Sequence, residues 1–336
     1  MEKRLLTIAI TSYNRPRELV RCLESVDSSK VNLFEVIISE DKSPKRNEIR
    51  QCISDIKKEV PYPIIDNYNS ENLGYDRNLK QLINLSNSEY IMFISDDDCL
   101  VKGALDVLLD DLSTIKTGIY YSPFYNREFN NFGRYYKSSH IINNGKRYLE
   151  KHIYDSILFS GLCFKTELIK NLDAEPFLNK NYFQVFLFMY ALNFSNGYYS
   201  NNFLIDCIGD GENGYGSSAS AEKNELLVNR KSYLSNLQFH IGLIWVIKYF
   251  DSLYHTNYFI NFEKEYNLHT FTGLYTAAKI GKKELNSYWE KLNSLDIKIN
   301  SISKIYYFLF LKLPVNKVVS FLLVIKKILY KMRHQL

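Results

Sequence analysis

Three consecutive aspartates, Asp96, Asp97 and Asp98, follow the short run Tyr90-Ile91-Met92-Phe93-Ile94-Ser95. Adjacent carboxylates repel one another and raise each other's pKa unless positive charge sits among them. In extended chain, Asp96 and Asp98 share one face and Asp97 points to the other. Hard oxygen ligands with open coordination positions suit Mg²⁺ or Mn²⁺ holding a substrate phosphate, so Asp96 and Asp98 are the candidate metal ligands. The plain alternative is a solvated acidic turn capping a helix that starts near Lys102. Two more polar clusters have the same setting. Thr11-Ser12-Tyr13-Asn14-Arg15 follows the apolar run from Leu5 to Ile10, and Glu40-Asp41 follows Phe34-Glu35-Val36-Ile37-Ile38.

The elements that must position these clusters alternate between strand and helix. Short apolar runs at 5–10, 34–38, 62–68 and 90–94 read as buried strands. Between them, apolar residues recur at helical spacing: Leu19, Val20, Leu23 and Val26 after Pro16, then Ile49, Cys52, Ile53 and Ile56, then Leu79, Leu82, Ile83 and Leu85. Pro16 suits a first helical position. This alternation predicts an α/β doubly wound, mainly parallel sheet flanked by helices. Ligands of such sheets bind at the C-terminal ends of the strands, where all three polar clusters fall.

Composition sets outer bounds. The chain has 336 residues, 46% hydrophobic and 24% charged, enough for a large core. The net charge of +5 is uneven. Residues 301–336 carry Lys304, Lys312, Lys317, Lys326, Lys327, Lys331 and Arg333 with no acid, a net +7, which leaves −2 for residues 1–300. The body therefore lacks the charge of a nucleic-acid binder. Five scattered cysteines without CxxC spacing argue against zinc and for a reducing compartment. No signal peptide or membrane span is expected.

The motifs resemble those of family 2 glycosyltransferases with the GT-A fold, of the bacterial surface-polysaccharide type. The resemblance rests on Thr11-Ser12-Tyr13-Asn14-Arg15, Glu40-Asp41-Lys42-Ser43, Asn72-Leu73-Gly74-Tyr75-Asp76-Arg77-Asn78 and Asp96-Asp97-Asp98, in that order. It covers residues 4–125 well, 155–195 loosely, and nothing beyond about 210. It implies transfer of a sugar from a nucleoside-diphosphate donor to a lipid-linked glycan acceptor, assisted by Mn²⁺ or Mg²⁺. Thr11, Tyr13, Asn14 and Arg15 are then expected at the nucleotide and Asp41 at the base. Asn72, Gly74 and Arg77 are expected at the base or diphosphate, Asp98 as the main metal ligand, and Asp96 or Asp97 near the ribose and metal. Ser160 and Gly161, in a strand expected over 157–164, leave room for the donor sugar. The family's helix-start acid, its general base, is matched here by Gln184, so the base is open among Asp173, Glu175, Asp210 and Glu212.

The remaining segments divide as follows. Residues 1–215 are expected to form the transferase domain, with a nucleotide half (1–100) and an acceptor half (101–215). Residues 216–300 are expected to be helical, and 301–336 to form a basic amphipathic tail contacting the inner face of a membrane. The aromatic stretch 118–142 either stacks acceptor sugars or packs across strands. His240, His255 and His269 lack metal-ligand spacing. Gly209-Asp210-Gly211-Glu212-Asn213-Gly214 fits a dinucleotide pattern, but its two acids would repel a pyrophosphate; it reads as a loop closing over the donor or as a linker. A sugar nucleotidyltransferase shares the α/β plan but needs a glycine-rich loop after its first strand. A non-catalytic sugar-binding scaffold is the other competing class.

Overall fold

A computed structural model describes residues 3–127, 130–211 and 233–318. The chain divides into two compact units, Met1–Leu227 and Val228–Leu336. The first unit opens with β1 (Leu6–Ser12), α1 (Pro16–Glu24), β2 (Phe34–Glu40), α2 (Arg46–Glu59), β3 (Ile64–Tyr68), α3 (Tyr75–Leu85) and β4 (Tyr90–Ser95). Every apolar run in this half is a strand and every helical periodicity a helix. Nearly all of β1, β2 and β4 is buried, because helices cover both faces of the sheet.

Next come β5 (Cys99–Leu100), α4 (Ala104–Thr114), β6 (Ile119–Tyr121), β7 (Phe124–Asn126), β8 (Asn131–Gly133), β9 (His140–Ile142) and α5 (Gly145–His152). A 3₁₀ turn (Ile153–Ser156), β10 (Cys163–Lys165), α6 (Thr166–Lys170), a second 3₁₀ turn (Glu175–Phe177), α7 (Phe183–Phe194), β11 (Gly197–Tyr199) and β12 (Ile205–Cys207) complete the unit. The large sheet runs β3-β2-β1-β4-β10-β6-β11-β9. Strands β3, β2, β1 and β4 are mutually parallel, and β10 runs antiparallel to both β4 and β6. A small sheet, β5-β12-β7-β8, ties the chain just after the aspartates to residues 205–207.

The expected strand over 157–164 is corrected: only Cys163–Lys165 is strand. Gly161 sits at φ +81°, which breaks extended chain, and a Cβ there would come within 2.8 Å of Ile205. The turn is still stitched to β4, since Gly161 N–H donates to the Phe93 carbonyl (2.9 Å) and Phe93 N–H to the Leu162 carbonyl (3.0 Å). The aromatic stretch splits in two: Tyr120 and Tyr121 are core, while Phe132 and Tyr135 stand 57% and 59% exposed and pack against Phe203. Helix α7 is apolar on all sides and buried almost throughout, as befits a core helix.

In the second unit, α9 (Tyr258–Ile280) packs against α8 (Ser235–Tyr254), α10 (Lys282–Asn293) and α11 (Ser301–Lys312). Buried Asn267 accepts hydrogen bonds from Asn300 N–H (2.8 Å) and Ser303 Oγ (2.7 Å), which docks α11 on α9. Half of the expected basic tail, 319–336, lies outside the described residues, as do 212–232 and Phe129. Half-buried His240 bonds Tyr266 OH (2.7 Å), a packing role, and desolvation of its ring lowers its pKa to about 4. No helix among the described residues is long and apolar enough to cross a membrane.

The two halves of the first unit are joined at Asp76, a fully buried carboxylate. It accepts the N–H groups of Lys180 (2.7 Å), Asn181 (2.8 Å) and Phe183 (3.0 Å) at the start of α7. Asp76→Asn, in either orientation of its amide, sets a donor against at least one of those N–H groups. A buried unsatisfied donor costs about 1–3 kcal/mol, so urea titration should show a loss of about 2 kcal/mol. A loss under about 1 kcal/mol would show that α7 is held elsewhere.

Candidate active site

The register of the parallel strands brings the three polar clusters together. Thr11 lies opposite Ser39 of β2 and Ser95 of β4. Tyr13 to Arg15, Asp41 and Asp96 to Asp98 therefore leave one edge of the sheet side by side, with neighbouring strands about 4.8 Å apart.

The aspartates are buried: Asp96 and Asp98 are each 2% exposed. Asp96 accepts the Tyr13 N–H (3.1 Å) and Arg15 Nη1 (2.9 Å). The same Arg15 nitrogen lies 3.0 Å from Asp97 Oδ2, and the Ser95 hydroxyl donates to Asp97. Asp98 accepts Ser160 Oγ (2.6 Å), which in turn accepts the Ser95 N–H (3.0 Å). Burial is the main cause that raises Asp96 to about 7, with Arg15 opposing it and Asp97 adding to it. Burial, then the Asp97 charge, raises Asp98 to about 6.

The positive charge that the three acids require is Arg15. Among the described residues no three His, Cys, Asp or Glu side chains gather to hold an ion. In this arrangement Asp96 is engaged by Arg15 and Tyr13, and Asp98 by Ser160.

Asp41 is also buried, and its carboxylate accepts Asn69 Nδ2 (2.9 Å), Leu73 N–H (2.8 Å) and Gly74 N–H (2.9 Å). Burial raises it to about 6, against the pull of these bonds. Its donors are thus the turn that Asn72 closes by accepting Gly74 N–H (3.1 Å), with Gly74 at φ +79°. Arg77 donates to Asn179 (3.1 Å) and pairs with Glu175. Thr11 and Tyr13 are half-buried beside the aspartates. Asn14 is in the left-handed region (φ +64°); its Oδ1 and Ser12 Oγ are buried without a hydrogen-bond partner.

The candidate bases scatter. Asp173 is exposed, Glu175 is held by Arg77, and Glu212 lies outside the described residues. Asp210 forms a two-pronged pair with Arg21 (2.6 and 2.7 Å), which lowers its pKa; Arg21 also reaches the Asp97 carbonyl (3.1 Å). That pair pins residues 209–211 beside the aspartates, and a Cβ on Gly211 would lie 2.6 Å from Arg15 Nε. Gln184 donates to the Ile157 carbonyl (2.9 Å) and accepts Tyr75 OH (3.2 Å).

One residue without a sequence signal organises the other side. Arg134 is buried at φ +54° and donates to the carbonyls of Asp155 (2.5 Å), Leu158 and Ser160 (3.1 Å). It shapes the turn that presents Ser160 to Asp98. Burial lowers its pKa to about 10.

Comparison with known proteins adds the following. Residues 7–170 match the family model described as glycosyl transferase family 2. The chain is 35% identical over 106 residues to abequosyltransferase RfbV of Salmonella typhimurium, 31% of each chain. It is 24% identical over 107 residues to the GalNAc(5)-diNAcBac-PP-undecaprenol beta-1,3-glucosyltransferase of Campylobacter jejuni, 31% of this chain and 33% of that one. The match thus spans about a third of the length of these relatives. The fold is that of S. aureus TarS 1-349, solved in complex with UDP-GlcNAc: TM-score 0.54 and 11% identity over 92% of this chain and 90% of that one.

Four buried carboxyls are raised, Asp41, Asp76 and Asp98 to about 6 and Asp96 to about 7. A raised carboxyl contributes stability that is full below its ordinary value near 3.8 and is lost as pH climbs through the folded value. The unliganded protein should therefore melt higher at pH 5.5 than at pH 8, and Asp96→Asn should reduce the difference without abolishing it. Equal melting temperatures in the wild type would show that these charges are compensated.

Proposed function

We propose that this chain, whose residues 7–170 form a family 2 glycosyltransferase domain, moves a glycosyl group from a nucleoside-diphosphate sugar to a hydroxyl of a bacterial surface glycan. The observation that carries the reading is the convergence at one sheet edge of Tyr13, Arg15, Asp41 and Asp96 to Asp98, joined by Ser160 from the other half of the unit. The name of one relative, a glucosyltransferase of an undecaprenol-diphosphate glycan, supports a lipid-linked acceptor.

In this reading the open acceptors at Ser12 and Asn14 and the face of Tyr13 take the nucleoside. Asp41 holds the 72–74 turn that shapes its pocket. Arg15 lies next to the diphosphate, where its guanidinium fork suits phosphate oxygens, and Arg77 reaches them on exchanging Glu175 for the ligand. Ser160, hydrogen-bonded to Asp98, lines the sugar. The exposed rings of Phe132 and Tyr135 form an aromatic ledge suited to the face of an acceptor sugar. Asp98, which Arg15 does not touch, would hold a Mn²⁺ or Mg²⁺ ion through its carboxylate, and the ion would offset charge on the departing diphosphate. Peripheral membrane contact through the basic end of the chain completes the proposal.

The test is a panel of nucleotide sugars in thermal shift, with Mn²⁺ and with a chelator, followed by nucleoside diphosphate release. One nucleotide sugar should raise the melting temperature in a concentration-dependent way. Asp98→Asn should leave circular dichroism unchanged and lower release roughly 10²–10³-fold, as expected for a charge aimed at the reacting group. An Asp98→Asn protein with wild-type release, or a panel in which nothing binds, would end this reading.

A further inference from the structure

Of the acids proposed from sequence, Asp173 is exposed and Glu175 and Asp210 are each paired with an arginine, while the same sheet edge carries a second polar cluster. Because β10 is antiparallel to both β4 and β6, β6 points the same way as β4. Tyr121 at the end of β6 lies opposite Tyr199 of β11 and level with Phe93 of β4; β6 and β11 are two and three strands from β4, or roughly 10–15 Å across the sheet. There Asp155 Oδ2 accepts Tyr136 OH (2.7 Å) and Tyr121 OH (3.3 Å). His152 Nδ1 lies 2.7 Å from the same Tyr136 oxygen and 3.5 Å from Asp155 Oδ2. The imidazole stacks on Tyr148, ring centroids 3.9 Å apart, and its side chain is 23% exposed.

Counting protons assigns the tautomer. The Asp155 carboxylate has no proton to give, so the single Tyr136 proton goes to it. The phenol oxygen can then only accept from His152, whose Nδ1 must carry the hydrogen. Nε2 is left with its lone pair, and Asp155 stands ready to stabilise a positive ring. Arg134 fastens this cluster to the donor side, through the Asp155 carbonyl at one nitrogen and the Ser160 carbonyl at another. Gln184 bonds the carbonyl of Ile157, two residues beyond Asp155, and an amide takes no proton.

We propose that His152 is a catalytic residue, the general base for the acceptor hydroxyl, with Asp155 and Tyr136 as positioning residues. The inference rests on the transferase reading above. The hydroxyl oxygen bonds to the sugar's anomeric carbon while the carbon–oxygen bond to the diphosphate breaks. The diphosphate leaves with that electron pair, and the hydroxyl proton passes to Nε2 and then to solvent.

The experiment uses the full chain and the nucleotide sugar selected by the panel, with water as acceptor. His152→Asn keeps a donor where Nδ1 was and removes the base. It should lower diphosphate release about 10²–10³-fold, with donor affinity by calorimetry within twofold of wild type and partial rescue by added imidazole. Tyr136→Phe should cost about tenfold in release and nothing in affinity, because it frees the tautomer without removing the ring. Nitrogen-15 NMR of the wild type should show His152 protonated at Nδ1. Release by His152→Asn within threefold of wild type, a loss confined to Asp155→Asn, or an Nε2–H tautomer would each overturn the assignment. If the wild type binds no nucleotide sugar, the transferase reading fails and this inference falls with it.

Discussion

The contact on which the rest depends is Arg15 with Asp96 and Asp97. Three carboxylates at the end of a buried strand have lost most of their hydration, and their mutual repulsion grows as the local dielectric falls. One guanidinium, delivered by the turn after β1, makes the arrangement tenable. It also fixes the direction in which that turn leaves the sheet, since the Tyr13 N–H must meet the same carboxylate. The geometry of the turn after β1 thus follows from an electrostatic demand made by its neighbour.

Asp98 is outside that contact and faces the other half of the unit. Its partner Ser160 is carried on a turn that Arg134 holds by three carbonyls and that Gly161 permits by its positive φ. A cation bonded to backbone oxygens rather than to an acid sets the shape of the turn without cancelling any charge in the site. Stability and chemistry are served by different arginines on the two sides.

Much of this was legible in the sequence, and the unread parts have physical reasons. The α/β alternation through Ser95 shows in apolar runs and helical spacing, because strands buried on both faces have few residue types to choose from. The three polar clusters could be placed at strand ends for the same reason. Ile157 to Phe164 looked like a strand because apolar content is blind to the φ of Gly161. Arg134, His152 and Asp155 gave no signal: their roles arise from backbone carbonyls and phenols brought together by long-range packing. Asp76 sat within a recognised motif, yet its partners lie about a hundred residues on and follow no spacing rule.

Asp76 ties the helix that begins at Tyr75 to the first turn of the buried helix at Phe183. The two segments behave as one structural part. A chimera that exchanges the loop before α3 with that of a relative must carry residues 75–78 and 180–183 as a matched pair. Engineering that cuts between them grafts a loop onto a foreign hinge.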